Sequence, residues 1–192
     1  MRLVLLGAPG SGKGTQASRL REHLQVPHIS TGELLRAAVN AGTELGKQAK
    51  AVMESGALVS DDIVLGMLEE RLTAGDTGNG FVLDGYPRNL VQANALDKLL
   101  ARLGQPVDLA VQLDVDTELL IQRLAGRAQA EARADDSPEA VRHRLKVYSD
   151  ATAPVVDFYR NSGRLAHVDG VGGMDAVFDR IIAKLAPTPD IG

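Results

Sequence analysis

Short apolar runs alternate along the chain with longer stretches of helical spacing. The runs lie at residues 2–6, 27–29, 81–83, 109–113 and 165–168, and each predicts a buried strand. Strands that alternate with helices are typical of α/β proteins with a parallel sheet. We therefore expect a five-stranded parallel sheet with helices on both faces.

Three polar residues mark helix starts between these strands. Ser30 with Glu33 forms a capping-box pattern, and Asp116 precedes a helical pattern at Leu119 and Leu120. Ser137 is followed by Pro138, and proline is favoured in the first turn of a helix.

Two segments exceed a simple alternation of strands and helices. Residues 31–63 have helical spacing throughout, which is more than one connection requires, and residues 127–137 are polar and predicted to lie outside the core. We interpret both segments as additions to the core of sheet and helices.

Composition narrows the class of protein. The 192 residues, 44% hydrophobic and 24% charged, fit one globular domain, and a net charge of −4 gives no basic field for nucleic acid or anionic lipid. Cysteine is absent, which excludes disulfides and Cys-ligated zinc, and no apolar run approaches the ~20 residues of a membrane span. We expect a cytoplasmic protein that does not bind nucleic acid or membranes.

The stretch GAPGSGKGTQ, from Gly7 to Gln16, follows the first predicted strand and precedes a helix. Gly7, Gly12 and Lys13 fit the phosphate-binding loop pattern G-x-x-x-x-G-K-[ST]. Gly14 occupies the position of the hydroxyl residue, and Thr15 comes one place later. Backbone N–H groups in such a loop surround an anion in front of the positive end of a helix. A purely structural glycine-rich turn is the simpler alternative.

Further motifs occur in order along the chain. They are STGELLR at 30–36, GFVLDGYPR at 80–88 followed by Gln92, GR at 126–127, RADD at 133–136, VRHRL at 141–145 and TAP at 152–154. Together with the loop they resemble the adenylate kinases over nearly the whole chain. The resemblance implies a three-layer P-loop sandwich, and the reaction ATP + AMP ⇌ 2 ADP assisted by Mg²⁺.

The resemblance also implies a role for individual residues. Lys13, Arg88, Arg123, Arg127, Arg133 and Arg144 would neutralise charge during transfer, which suits a reaction that depends on positioning and electrostatics. ATP would contact Gly10, Ser11, Gly12, Lys13, Gly14, Thr15, Arg123, Arg127 and Gly172. AMP would contact Thr31, Arg36, Ala57, Leu58, Val59, Gly85, Tyr86, Pro87, Arg88, Gln92, Arg133 and Arg144. On helical spacing we prefer Arg144 to Arg142, which points towards solvent.

Asp84 ends an apolar strand and is the candidate to order Mg²⁺ through water, with a helix-cap or loop role as the alternative. Two roles account equally well for Glu33: capping of the helix, or hydrogen bonding to the waters around Mg²⁺. The four histidines form no cluster in the sequence, and a phosphate acceptor is already ionised, so no general base is required.

Thr31 and Gln92 favour AMP, because the UMP/CMP branch of related kinases typically has Ala and Asn there. The amide of Gln92 can donate and accept hydrogen bonds at an adenine edge. A solvated helix residue is the alternative for Gln92.

Only residues 128–132 separate Arg127 from Arg133, whereas long bacterial adenylate kinases carry an insertion there, often with metal ligands. We therefore expect a short lid at 127–137, a monophosphate-binding segment at 30–59, and a core of residues 1–29, 60–126 and 138–192. We expect no structural zinc, and a monomer that binds ATP, AMP and ADP.

Three other functions remain open at this point: another nucleoside monophosphate kinase, a GTP-binding switch, and an inactive nucleotide-binding scaffold. No N-K-x-D element supports guanine recognition. Retention of Lys13 and the six arginines argues against the scaffold.

Overall fold

The computed structural model describes residues 1–185, so the last seven residues of the expected core, 186–192, lie outside the described residues. Five parallel strands form one sheet in the order β2-β3-β1-β4-β5. Their bounds are β1 Arg2–Leu6, β2 His28–Ser30, β3 Phe81–Asp84, β4 Leu109–Asp114 and β5 Leu165–Asp169. The expected α/β class and parallel sheet are confirmed.

Helices connect the strands. They are α1 Lys13–Leu24, α2 Thr31–Asn40, α3 Glu44–Glu54, α4 Asp61–Leu72, α5 Leu90–Arg102, α6 Thr117–Glu131, α7 Pro138–Val147, α8 Ala153–Asn161 and α9 Met174–Leu185. A 3₁₀ turn, Ala134–Asp136, precedes α7, and a π-helical turn, Tyr148–Thr152, joins α7 to α8. Within residues 1–185, no helix is both long and apolar enough to cross a bilayer.

The sheet is buried on both faces. Successive residues of β1 point to opposite sides, so Leu3 and Leu5 pack in one apolar cluster while Val4 and Leu6 pack in the other. This two-sided burial explains why β1 is a continuous apolar run rather than an alternating one.

The three predicted helix starts are present. The side chains of Ser30, Asp116 and Ser137 accept hydrogen bonds from the backbone N–H groups of Glu33, Leu119 and Ala140 at 3.3, 2.9 and 3.2 Å. At Ser30 only this half of the capping box forms among residues 1–185. The Glu33 carboxylate borders the cleft described below.

Two expectations differ from the structure. Residues 31–63 are not helical throughout: the chain breaks between α2 and α3 and again between α3 and α4, with left-handed backbone at Gly42 and Gly56. Residues 127–137 are not wholly outside the core, because α6 continues to Glu131 and the side chain of Asp136 is fully buried.

Candidate functional site

The loops that leave the carboxyl ends of the parallel strands border one cleft of about 720 Å³. Such an edge is where open α/β sheets bind ligands, and the volume suits a nucleotide-sized molecule. Sixteen of the residues singled out from the sequence line it, namely Gly10, Ser11, Gly12, Lys13, Gly14, Thr15, Glu33, Arg36, Asp84, Gly85, Arg88, Arg123, Arg127, Arg133, Arg144 and Gly172.

The glycine-rich loop turns from β1 into α1. Gly12 precedes the first residue of α1 with φ of 97°, and Gly10 has φ of 84°, both in the left-handed region that favours glycine. A Cβ at Gly10 would lie 3.0 Å from Leu124 Cγ, so the loop packs tightly on α6. The buried Ser11 hydroxyl has no hydrogen-bond partner among the described residues. The hydroxyl lies beside Gly7 inside the loop, so the groups of the loop available to a phosphate are its backbone N–H donors.

Lys13 folds back onto this loop. Its Nζ donates hydrogen bonds to the carbonyl oxygens of Gly7 at 2.8 Å and Ala8 at 3.1 Å. Burial lowers the pKa of Lys13 to about 8, although the opposite charge of Asp84 favours the ammonium form. Among residues 1–185 the ammonium group is in no ion pair, although the charge of Asp84 acts on it.

Asp84 ends β3 at the floor of the cleft. Burial alone would raise its pKa, but the polar neighbour His28 and the ammonium of Lys13 outweigh burial, so the pKa of Asp84 lies below its usual value. His28 Nε2 is 3.8 Å from Asp84 Oδ2, which is longer than a hydrogen bond. The carboxylate is therefore ionised at neutral pH and borders the loop that would hold phosphate.

Three arginines of the cleft have no carboxylate partner within residues 1–185: Arg36, Arg88 and Arg123. Arg88 Nε donates to the Gly85 carbonyl at 2.7 Å, and Arg123 donates to the Gly170 carbonyl at 3.1 Å. Burial lowers the pKa of Arg36 and Arg88, and neighbouring arginines lower it further. Because a guanidinium stays charged even so, the cleft holds uncompensated positive charge.

The other three arginines are paired with acidic residues of the lid. Arg127 Nε and Nη2 donate to the two oxygens of Asp136 at 2.6 and 2.5 Å, and Arg144 Nη1 donates to the same carboxylate at 2.9 Å. Arg133 pairs with Glu131 at 2.5 Å. Arg144 faces the cleft, whereas Arg142 is exposed.

Asp136 was not identified as a site residue from the sequence. Burial would raise its pKa, but the hydrogen bonds and charge of Arg127, with the charge of Arg144, hold it below the usual value. Its position within RADD, next to arginines expected to bind phosphate, was the only available signal.

A smaller cavity of about 60 Å³ opens beside the cleft and is lined by Thr31, Ala57, Leu58, Val59, Tyr86 and Gln92. Arg36, Gly85, Arg88 and Arg144 each line both the cleft and the smaller cavity. Thr31 Oγ1 donates to the Gly85 carbonyl at 3.0 Å. Pro87, with Arg88 and Arg144, lines a third cavity of about 60 Å³. Every candidate catalytic, nucleotide-binding or metal-binding residue therefore lines one of three neighbouring cavities, which share Gly85, Arg88 and Arg144.

The side-chain amide of Gln92 is held at both ends. Its Oε1 accepts from the backbone N–H of Arg88 at 2.7 Å, and its Nε2 donates to Asp61 Oδ1 at 2.8 Å. Asp61, the first residue of α4, was also not identified from the sequence, because an acidic residue in the first turn of a helix needs no further explanation.

The chemistry available is anion binding rather than covalent catalysis. Guanidinium groups, an ammonium group and loop N–H donors converge on a cleft with one ionised carboxylate at its floor. In the described part of the chain, no three His, Asp or Glu side chains lie close enough to hold a metal ion by themselves. Such an arrangement can bring two polyanions together and stabilise a transferring phosphoryl group.

Comparison with known proteins gives consistent matches. The family model described as adenylate kinase matches residues 5–164. A protein named adenylate kinase from Stenotrophomonas maltophilia strain K279a is 68% identical over 185 residues, covering 96% of this chain and 99% of the relative. Another of that name, from Xanthomonas campestris pv. campestris strain 8004, is 66% identical over 181 residues, covering 94% and 97%.

Proposed function

The chain belongs to the adenylate kinase family and is a phosphotransferase; we propose that its arginine-lined cleft is where ATP and AMP exchange a phosphoryl group to give two ADP. The observation that carries this proposal is the convergence of Lys13 and six arginines on one cleft beside the phosphate-binding loop. Two nucleotides brought together by their phosphates repel each other, and this cluster supplies the opposite charge.

ATP occupies the side of the cleft formed by the loop and α6. The residues of this subsite are Gly10, Ser11, Gly12, Lys13, Gly14, Thr15, Arg123, Arg127 and Gly172, all of which border the cleft. The backbone N–H groups of the loop then donate to the phosphate oxygens.

The base of AMP enters at the smaller cavity, which must widen to admit it, and its phosphate lies in the cleft. Arg36 and Arg88 bind that phosphate, since both border the two spaces and neither has a carboxylate partner among residues 1–185. The base lies against Thr31, Ala57, Leu58, Val59 and Gln92, while Gly85, Tyr86 and Pro87 shape the turn that carries Arg88.

The lid arginines act once nucleotides are bound. In this structure the Asp136 carboxylate accepts hydrogen bonds from Arg127 and Arg144, as a phosphate group could. Nucleotide phosphates then compete with Asp136 for these guanidinium groups, and Arg133 and Arg144 complete the AMP side from the lid.

Mg²⁺ bound with ATP would be the cofactor, and it would supply positive charge that offsets the charge of the phosphates. The residues present fit this group, because Asp84 provides an ionised oxygen ligand on the cleft and Mg²⁺ usually retains several waters. Glu33 also borders the cleft and assists those waters. Structural zinc has no place here, since the chain has no cysteine.

The enzyme acts as a cytoplasmic monomer without nucleic-acid or membrane partners. A net charge of −4 argues against nucleic-acid and anionic-lipid partners, because the chain has no overall basic field to attract them.

Replacement of Arg88 by Ala tests the assignment. We expect kcat/KM for AMP to fall by at least ~100-fold with the fold intact, because a bidentate contact to phosphate is lost. Arg142→Ala is the control, since Arg142 is exposed on the same helix as Arg144, and should retain full activity. A coupled assay with AMP, UMP, CMP and GMP completes the test.

Normal turnover by Arg88→Ala would overturn its role. Comparable rates with UMP and AMP would overturn the assignment of the smaller cavity to AMP.

A further inference from the structure

Asp61 and Gln92 form a short polar network beside the smaller cavity. Asp61 Oδ1 accepts from Gln92 Nε2 at 2.8 Å and from Asn89 Nδ2 at 3.0 Å. On its other side the Gln92 amide accepts from the Arg88 backbone at 2.7 Å. Gln92 is only 2% exposed, so water cannot replace these partners easily.

This network permits one orientation of the Gln92 amide. Arg88 N–H requires an acceptor and the Asp61 carboxylate requires a donor, so Oε1 must face Arg88 and Nε2 must face Asp61. A reversed amide would place oxygen against the carboxylate and N–H against N–H. In the observed orientation one amide N–H and one oxygen lone pair remain for a ligand.

We propose that Asp61 is a specificity-determining positioning residue that fixes the direction in which Gln92 presents its donor and acceptor to the base of the nucleoside monophosphate. The inference rests on the proposed function, in which the base lies in the cavity bordered by Gln92. Adenine offers an amino donor at position 6 and an acceptor at N1. Hypoxanthine and guanine offer the reverse, a carbonyl at position 6 and a donor at N1. An amide that cannot turn therefore matches AMP and opposes IMP and GMP.

Asp61→Asn is the direct test, because Asn has nearly the same shape but can donate or accept. Turning the Gln92 amide then costs the hydrogen bonds of Arg88 and Asn89 but no longer places an oxygen against a carboxylate, so the free-energy cost of accepting the reversed base falls. We expect kcat/KM for AMP to fall. We also expect the AMP-to-IMP ratio of kcat/KM to decrease by about tenfold. Asp62→Asn removes the same charge from the same helix turn at an exposed position and should leave the ratio unchanged.

A double-mutant cycle separates orientation from general damage. Gln92→Leu should reduce the AMP-to-IMP ratio, and adding Asp61→Asn to it should change that ratio no further, because no amide remains to be oriented. Asp61→Ser provides a second variant if thermal unfolding shows that Asp61→Asn does not fold, and the same narrowing is expected.

The outcomes distinguish this inference from the proposed function. The role of Asp61 would be overturned if Asp61→Asn lowered kcat/KM for AMP and for IMP by the same factor. It would also be overturned if Asp61→Asn changed the AMP-to-IMP ratio equally in the wild-type protein and in Gln92→Leu. Absence of AMP kinase activity in the wild-type protein would instead overturn the proposed function.

Discussion

Lys13 is a cation of the cleft whose pKa burial brings close to neutral pH. Burial lowers its pKa to about 8, and the positive charges of Arg88, Arg144 and Arg127 act in the same direction. Asp84 is the only opposing charge among its main influences. Bound phosphate would reverse this balance, because it adds several negative charges next to the ammonium group.

We therefore predict that nucleotide binding takes up protons near pH 8. The bound state, with the pKa of Lys13 raised, holds more protons than the free state, so affinity should fall as pH rises above about 8. Titration calorimetry of a diadenosine polyphosphate at pH 8, in buffers of different ionisation enthalpy, should show uptake of about half a proton. Lys13→Met is the control and should show none. Identical uptake by that variant would assign the proton to another group.

At the scale of residues, the sequence predicts groups whose type and spacing are tied to phosphate binding. Lys13 and the arginines other than Arg123 belong to ordered motifs, and all of them, with Arg123, border the cleft. Asp136 and Asp61 could not be identified in this way. Each lies beside a helix start, where helix capping or the helix dipole is enough to explain an acidic residue. Their partners, Arg127 for Asp136 and Gln92 for Asp61, are not adjacent in the sequence.

Among the elements, the pair α2 and α3 positions Thr31 and Arg36 beside the smaller cavity. Gly46 in α3 is buried against α2, and a Cβ there would lie 2.0 Å from the Ala38 carbonyl oxygen. Backbone cannot move away as a flexible side chain could, so any larger residue must separate the two helices.

Gly46→Ala is accordingly predicted to destabilise the protein by about 1–3 kcal/mol and to raise KM for AMP more than KM for ATP. Gly66→Ala in α4 is a matched control, since a Cβ at Gly66 meets nothing within 4 Å and Ala favours a helix by about 0.5–1 kcal/mol. Urea unfolding and initial-rate kinetics measure both effects. Unchanged stability of Gly46→Ala would show that α2 and α3 can separate without cost.

The strands were easier to predict than the breaks between α2, α3 and α4. A strand buried on both faces is a short continuous apolar run, and this pattern is local. The break at Gly56 is a local helix end, in which the N–H groups of Gly56 and Ala57 donate to the carbonyls of Met53 and Val52 around left-handed backbone. The spacing of apolar residues does not show this break, because the signal is the glycine itself.

For the whole molecule, the distribution of charge matters more than the total. The chain has a net charge of −4, yet Arg36, Arg88 and Arg123 border the cleft without carboxylate partners within residues 1–185. Approach of the α3–α4 connection to α7 brings Arg36 towards the lid, where Arg133 lowers its pKa. The cleft therefore concentrates like charges that an anion would offset.

A ligand with two adenosine groups joined by several phosphates should consequently stabilise the entire fold. At 100 times its Kd the expected gain is about 2.7 kcal/mol in the free energy of unfolding, which corresponds to a rise in Tm of roughly 5–11 °C for a chain of this size. Thermal unfolding at fixed protein concentration measures the shift, and Arg88→Ala at the same ligand concentration should show a much smaller one. Added salt should reduce the wild-type shift, because screening weakens attraction between the phosphates and the guanidinium groups. A shift that is equal in both proteins and insensitive to salt would mean that the bases, rather than the phosphates and arginines, hold the ligand.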